Sequence, residues 1–142
     1  MSNQQVWRGD YAIEASAGVD TIWSIFRDVP GWKTWNAGIE QIHIDGPFAT
    51  GTWFTMKPPG EDALRSQLID VHENESFVDE TRVGDLVIVV AHRLEAIGPA
   101  RTRIVYAVDA RGPQASEIGP AVASDFPEVL ASLAKRAEAK AG

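Results

Sequence analysis

Apolar and polar residues alternate at the start of the chain. Between Trp7 and Ala15, Trp7, Tyr11 and Ile13 share one face while Arg8, Asp10 and Glu14 share the other, which predicts a half-buried strand. At Val19 the period changes. Val19, Ile22, Trp23, Phe26 and Val29 recur at helical spacing, Asp20 sits near the positive end of the helix dipole, and Pro30-Gly31 stops the run. A short helical turn through Trp32-Lys33-Thr34-Trp35 is expected next, ending near Asn36-Ala37-Gly38. Six further stretches read as strands: Ile39 to Asp45, Thr52 to Lys57, Leu64 to His72, Ser76 to Thr81, Leu86 to Ala96 and Arg101 to Arg111. Asp45-Gly46-Pro47, Pro58-Pro59-Gly60, Glu73-Asn74-Glu75, Gly84-Asp85 and Gly98-Pro99 separate them with turn chemistry. Connections this short favour antiparallel pairing, since a parallel crossover needs about a dozen residues.

A helix closes the chain between Pro120 and Ala141, with Val122, Phe126, Val129, Leu130, Leu133 and Ala137 on one face and Lys135, Arg136 and Lys140 near its negative end. Pro127 predicts that this helix either begins there or kinks there. The order predicts an α+β fold: a curved antiparallel sheet of about seven strands wrapped on a long C-terminal helix, with two short helices after the first strand. One domain spanning 1–142 is expected, with residues 1–5 flexible. Where sheet and helix close completely, the space between them is core; where they gape, it is a cavity.

Composition narrows the function. The net charge of −7 opposes binding to nucleic acid or to an anionic membrane surface. There is no Cys, which removes disulfides, thiolate nucleophiles and Cys-based metal sites. No apolar stretch approaches the roughly 20 residues of a membrane span. The polar start, Met1 to Gln5, lacks the pattern of a signal peptide, so a cytoplasmic location is the expectation. His43, His72 and His92 are not spaced as metal ligands, and neither a phosphate-binding glycine loop nor a Gly-x-Ser-x-Gly elbow is present, so no metal or cofactor is expected. Five Trp and five Phe, by contrast, must line either a layered core or a cavity.

Val29-Pro30-Gly31-Trp32-Lys33-Thr34-Trp35-Asn36, the stretch Ile44 to Thr52, Phe77-Val78-Asp79-Glu80-Thr81, His92-Arg93-Leu94-Glu95 and Asp125-Phe126-Pro127-Glu128 follow one another along the chain. Together these segments resemble the START-like, helix-grip superfamily of polyketide cyclase/dehydrase and Bet v 1-like proteins. The resemblance runs from about Tyr11 to the end. It implies the helix-grip fold, but the superfamily spans carriers, receptors, cyclases and chaperone activators, so it implies no single chemistry.

Alternation nominates the inward side chains. Phe54 and Met56 oppose Trp53, Thr55 and Lys57; Leu86, Ile88, Val90, His92 and Leu94 oppose Val87, Val89, Ala91 and Arg93; Ile104, Tyr106 and Val108 share a face. The turn near Gly98-Pro99 sets His92 level with residues 104 to 106, making His92 and Tyr106 cross-strand or diagonal neighbours and the candidates for proton transfer. Candidate ligand contacts are Trp32, Trp35, Phe54, Met56, Phe77, Val90, His92, Tyr106, Val122 and Phe126, each weighed against a place in plain core. Asp79, Glu80 and Asp85 are read as solvated carboxylates on turns or edges.

Three functions remain open. The first is binding or transport of a small hydrophobic molecule such as a lipid, polyketide or aromatic metabolite. The second is a polyketide cyclase or dehydratase using His92 and Tyr106. The third is a protein-interaction or stress-related module with a filled core. The expected partner is the small molecule, without nucleic acid or stable membrane insertion, on a monomer or homodimer.

Overall fold

A computed structural model describes residues 5–141. Except for Gln5, the lead-in expected to be flexible lies outside the described residues, and Gln5 itself opens the first strand. The elements are β1 (Gln5–Ala15), α1 (Val19–Arg27), a 3₁₀ helix (Val29–Thr34), β2 (Gln41–Ile44), β3 (Trp53–Lys57), β4 (Leu64–His72), β5 (Ser76–Val83), β6 (Leu86–Gly98), β7 (Arg101–Gly112), α2 (Ala115–Ala123) and α3 (Phe126–Ala141). All seven strands join one antiparallel sheet in the order β1-β7-β6-β5-β4-β3-β2.

Register defines the concave face. Phe77, His92, Tyr106 and Tyr11 pair directly across β5, β6, β7 and β1. The adjoining row is Leu68, Asp79, Val90 and Val108, and the next is Phe54, Ser66, Thr81, Ile88 and Ala110. Phe54, Leu68, Phe77, Val90 and Tyr106 are buried, whereas Trp53, on the opposite face, is 41% exposed under the Arg65 guanidinium. The expected alternation therefore holds through β3, β6 and β7. Register shifts between Leu68 and Asp70 and between Ala96 and Gly98 add one residue each, and those residues, Ile69 and Ile97, turn outward. Such bulges increase the local twist and help the sheet curl.

The closing helix differs in detail from the expectation. It is two segments broken at Ser124-Asp125, and the first begins at Ala115, five residues before Pro120. Burial of Ala115, Gly119 and Ala123, spaced by four, seats α2 on β1 and β7 and offsets the hydrogen bond that Pro120 cannot make. A Cβ built on Gly119 would lie 2.4 Å from Cε3 of Trp7, so this glycine lets helix and indole meet. Pro127 is the second residue of α3, where the missing N–H has no intrahelical partner to lose. Of the two outcomes expected for Pro127, the helix begins there.

α3 packs on β1 and α1, while α2 packs on β1 and β7. α2 and α3 thus meet the sheet on its β1–β7 side, whereas α1 and the 3₁₀ helix cover Phe54 and Phe77 on β3 and β5 through Phe26 and Trp32. Two apolar clusters result. One gathers α1, the 3₁₀ helix and α3 around Phe26, Phe77 and Leu130; the other places α2 against Leu86, Ile88, Val90, Val108 and Ala110.

Candidate functional site

At the α1 end of the concave face, rings fill the interior. Phe77 stacks on the His92 imidazole with centroids 3.9 Å apart, and lies 4.9 Å from Phe26, 5.1 Å from Phe48 and 5.6 Å from Trp32. Trp32 meets Phe54 at 5.8 Å, and its indole Nε1–H donates to the Phe26 carbonyl at 2.8 Å. His92 continues to Tyr106 at 4.5 Å, and Tyr106 to Phe126 at 5.4 Å. Six of the ten nominated ligand contacts thus form one chain of rings: Phe54, Trp32, Phe77, His92, Tyr106 and Phe126. The expected neighbours His92 and Tyr106 are directly opposite in the register.

The other four lie around this chain. Val90 is buried with the second apolar cluster, against which Val122 and Phe126 pack half-buried. Met56 is half-buried against the first cluster. Trp35 touches Trp32 at 6.5 Å and borders a surface groove of about 370 Å³ with Ser24, Asp28, Arg136 and Lys140. A second open groove, about 770 Å³, runs over Trp23, Arg27, Phe48, Val71 and Glu73.

Sequence reading missed the polar centre of the face. Asp79 is neither at a turn nor at an edge. It stands in the middle of β5, an interior strand, between Phe77 and Thr81 on the inward side. The signal was present in the alternation Phe77-Asp79-Thr81, but a carboxylate is ordinarily solvated, and that habit prevailed over the pattern. Glu80 is likewise on interior β5 rather than at a turn or edge, pointing the opposite way and pairing with Arg82 at 2.8 Å with its side chain 22% exposed, whereas Asp85 is exposed in the β5–β6 turn as expected. Ser66 and Thr81, also unnominated, bond to each other hydroxyl to hydroxyl at 2.6 Å beside Asp79.

Asp79 Oδ2 lies 3.8 Å from His92 Nε2, and the two side chains are 14% and 10% exposed. The other imidazole nitrogen, Nδ1, is 3.2 Å from the Phe77 carbonyl, where only a donated N–H makes a hydrogen bond. In the neutral ring Nε2 is then an acceptor turned toward the carboxyl. Burial pushes Asp79 up from 3.8 to about 7. Burial also pushes His92 down from 6.5 to about 3, against the opposing help of backbone hydrogen bonds with Phe77 and Val90. Burial first, and the Asp79 charge second, raise the Tyr106 phenol well above its ordinary range. Below about pH 7 a carboxylic acid, a neutral imidazole and a neutral phenol therefore share one patch of the concave face. Such a set can donate hydrogen bonds and exchange a proton with a bound oxygen.

Met56, Leu64, Asp79, Thr81, Val122 and Phe126 are inward-facing or helix-borne yet only partly buried. Asp79 and His92 lie among them on the concave face, side by side on β5 and β6. Among the described residues no group of three His, Cys, Asp or Glu could hold a metal ion, and no helix is long and apolar enough to cross a membrane.

Residues 7–138 match the model of a family described as polyketide cyclase/dehydrase and lipid transport. Among curated proteins none matches the chain at the sequence level. The fold is similar to that of a Streptomyces aromatase/cyclase, Zhui, with TM-score 0.81 and 16% identity over 94% of each chain. It is also similar to norcoclaurine synthase from Thalictrum flavum in complex with dopamine and hydroxybenzaldehyde, with TM-score 0.75 and 15% identity over 94% of this chain and 87% of that one. Ara h 8.0201 aligns at TM-score 0.75 and 12% identity, over 95% and 99% of the two chains.

Proposed function

We propose that this chain, which belongs to the polyketide cyclase/dehydrase and lipid transport family, binds a small hydrophobic molecule between the concave face of the sheet and the closing helices. The observation that carries the reading is the buried Asp79–His92 pair, 3.8 Å apart on the concave face, with Tyr106 and half-buried Phe126 following His92 in the chain of rings. A purely structural core has no use for an acid and an imidazole at its centre, because buried polar groups weaken packing unless fully paired. The same general fold accommodates dopamine and hydroxybenzaldehyde in norcoclaurine synthase, which makes small aromatic molecules the first class to try.

Two measurements test this. Solvent extraction of the purified protein followed by mass spectrometry should find a co-purified apolar compound. Titration with a panel of naphthalene and hydroxybenzaldehyde derivatives should quench Trp fluorescence, and Met56→Glu should weaken that quenching at least tenfold. An empty extract together with no quenching by any member overturns the proposal.

A second reading, catalysis of cyclisation or dehydration with His92 and Tyr106 moving protons, is favoured by one observation: their rings are 4.5 Å apart and adjoin the Asp79 carboxyl. Turnover of a polyketide-like substrate unchanged in both His92→Ala and Tyr106→Phe would exclude it. The filled aromatic half of the interior supports the interaction-module reading only for that half, since Asp79 and His92 border the partly exposed remainder.

A further inference from the structure

Resting on the ligand-binding reading above, we infer that residues 46–49, between β2 and β3, are the lid of the concave interior. Phe48 is its plug, and a ligand enters through the groove over Trp23 and Val71. Phe26, Trp32 and Phe77 are buried against one another at this end, so a molecule reaches the sheet only where a ring gives way. Of the rings that meet Phe77, three ride on regular backbone: Phe26 on α1, Trp32 on the 3₁₀ helix and His92 on β6. Trp32 is held further by its indole bond to the Phe26 carbonyl at 2.8 Å. The fourth, Phe48, is carried by a loop.

That loop is tied at both ends and loose between them. The Asp45 N–H donates to the Trp53 carbonyl at 3.0 Å, and the Asp45 carboxylate accepts from Arg65 at 2.8 Å. On the far side the Val71 N–H donates to Thr50 Oγ1 at 2.9 Å, and the Gly51 N–H to the Leu68 carbonyl at 2.6 Å. Among the described residues Gly46, Pro47 and Phe48 make no hydrogen bond, so the half-buried Phe48 ring is what holds the segment down. It lies 5.1 Å from Phe77, 5.6 Å from Trp23 and 6.4 Å from Trp32. Ring contacts of this kind part without stranding a buried polar group, which the breaking of a ladder would do. Gly46 leaves rotation at the start of the segment unhindered. Phe48 thus stands between two spaces. It lines the groove of about 770 Å³, and it touches Phe77, which stacks at 3.9 Å on His92 beside Asp79. Arg27 and Glu73 face each other on this groove at 4.0 Å, both more than half exposed, a pair too weak to keep it shut. The groove beside Trp35 has no comparable lid: its walls Ser24, Ile25, Arg136 and Lys140 belong to α1 and α3, joined by a hydrogen bond from Lys140 to Ser24 at 2.7 Å.

The chain has no cysteine, so a single introduced thiol reports without ambiguity. Leu68→Cys places one on β4 beside the loop's anchor, at a position 0% exposed, where its reaction with N-ethylmaleimide measures how often the interior opens. Labelling through the lid should change less than about threefold between zero and 1 M urea, because a local opening exposes little surface. Adding Phe48→Ala should speed it at least about tenfold, and the milder Phe48→Leu, which guards against poor folding of the first variant, at least about threefold. Phe126→Ala, at the closing helices, should leave the rate within about twofold in the absence of urea. Labelling that climbs steeply with urea in every variant, or that Phe126→Ala speeds and Phe48→Ala does not, overturns the inference. Stopped-flow uptake of anilinonaphthalene sulfonate ties the lid to a guest. Phe48→Ala should raise its association and release rates together, by at least about fivefold, leaving Kd within about threefold. Unchanged rates for a probe that binds overturn the inference and leave ligand binding intact. A probe that binds no variant counts against the ligand-binding reading, and thiol labelling then decides the lid by itself.

Discussion

Removing either member of the Asp79–His92 pair should expose a pH dependence of stability that the intact pair conceals. A carboxyl raised from 3.8 to about 7 keeps its proton in the folded state where the unfolded chain has lost it. Its contribution therefore falls as pH rises from about 4 to 7, by up to about 4 kcal/mol at roughly 1.4 kcal/mol per pH unit. An imidazole lowered from 6.5 to about 3 has the opposite sign. The unfolded chain takes up a proton below 6.5 that the folded state refuses, so stability is lost as pH falls, again at roughly 1.4 kcal/mol per unit. Between about 4 and 6.5 the two slopes cancel, because folded and unfolded states each hold one proton on the two groups. The cancellation survives if that proton moves from Asp79 to His92, since the count does not change.

His92→Phe should therefore lose about 2–3 kcal/mol relative to the unaltered protein between pH 4.5 and 6.5, and Asp79→Asn should gain about the same over that interval. Water that reaches the partly exposed side chains would reduce both slopes but leave their signs. Urea unfolding at half-unit pH steps measures this, and differences taken against the unaltered protein remove shared contributions such as Asp109, held low by its Arg111 hydrogen bond. Flat difference curves for both variants, or slopes of the same sign, would refute the reasoning that burial governs these two groups.

Phe77→Ala should destabilise by about 3–5 kcal/mol in the same urea assay, since it opens a cavity between Trp32, Phe26, Phe48 and His92. Gly112→Ala should cost at least about 1 kcal/mol, seen as a lower thermal midpoint: the residue has φ +126°, and a Cβ there would sit 2.5 Å from the Asp85 carbonyl oxygen. Asp79→Leu should be more stable than the unaltered protein at pH 8 by about 1–3 kcal/mol, because it removes a carboxylate ionised in an apolar setting. A loss of stability at pH 8 would mean that Asp79 has favourable partners in the folded state which outweigh its burial.

How legible these features are in the sequence depends on which forces set them. The strands were legible because side-chain period 2 is imposed by the pleat itself: Trp53 and Phe54, adjacent and both large, separate cleanly to solvent and core. The pairing of His92 with Tyr106 followed from one short turn at Gly98-Pro99, since a hairpin transmits register over its length. The start of α2 was not legible, because Gln114 in a left-handed conformation precedes it and nothing in the pattern Ala115-Ser116-Glu117-Ile118 distinguishes helix from loop until it meets β1 and β7. The sheet-borne Phe54, Met56, Phe77, Val90, His92 and Tyr106 share the inward alternation, but how deep each lies depends on where the helices stop. That is a property of packing between segments far apart in sequence, so Trp32 and Trp35, three residues apart, end buried and half-buried.

Asp79 shows what the remaining gap consists of. Its placement was written in the alternation, yet its energetics argue against it: on an interior strand, with Leu68 and Val90 on either side, an acid is the least favourable common choice. A residue that lowers stability by its burial must be explained by something other than stability. His92 repeats the argument one row away, held neutral by burial and anchored by the Phe77 carbonyl. Two penalties, each of which an apolar side chain would remove, lie side by side on the concave face. Conflict between local preference and global fold is expected where function outweighs packing. The position of that conflict, on β5 and β6 in the middle of the concave face, is the strongest physical reason to look for the ligand there rather than in either surface groove.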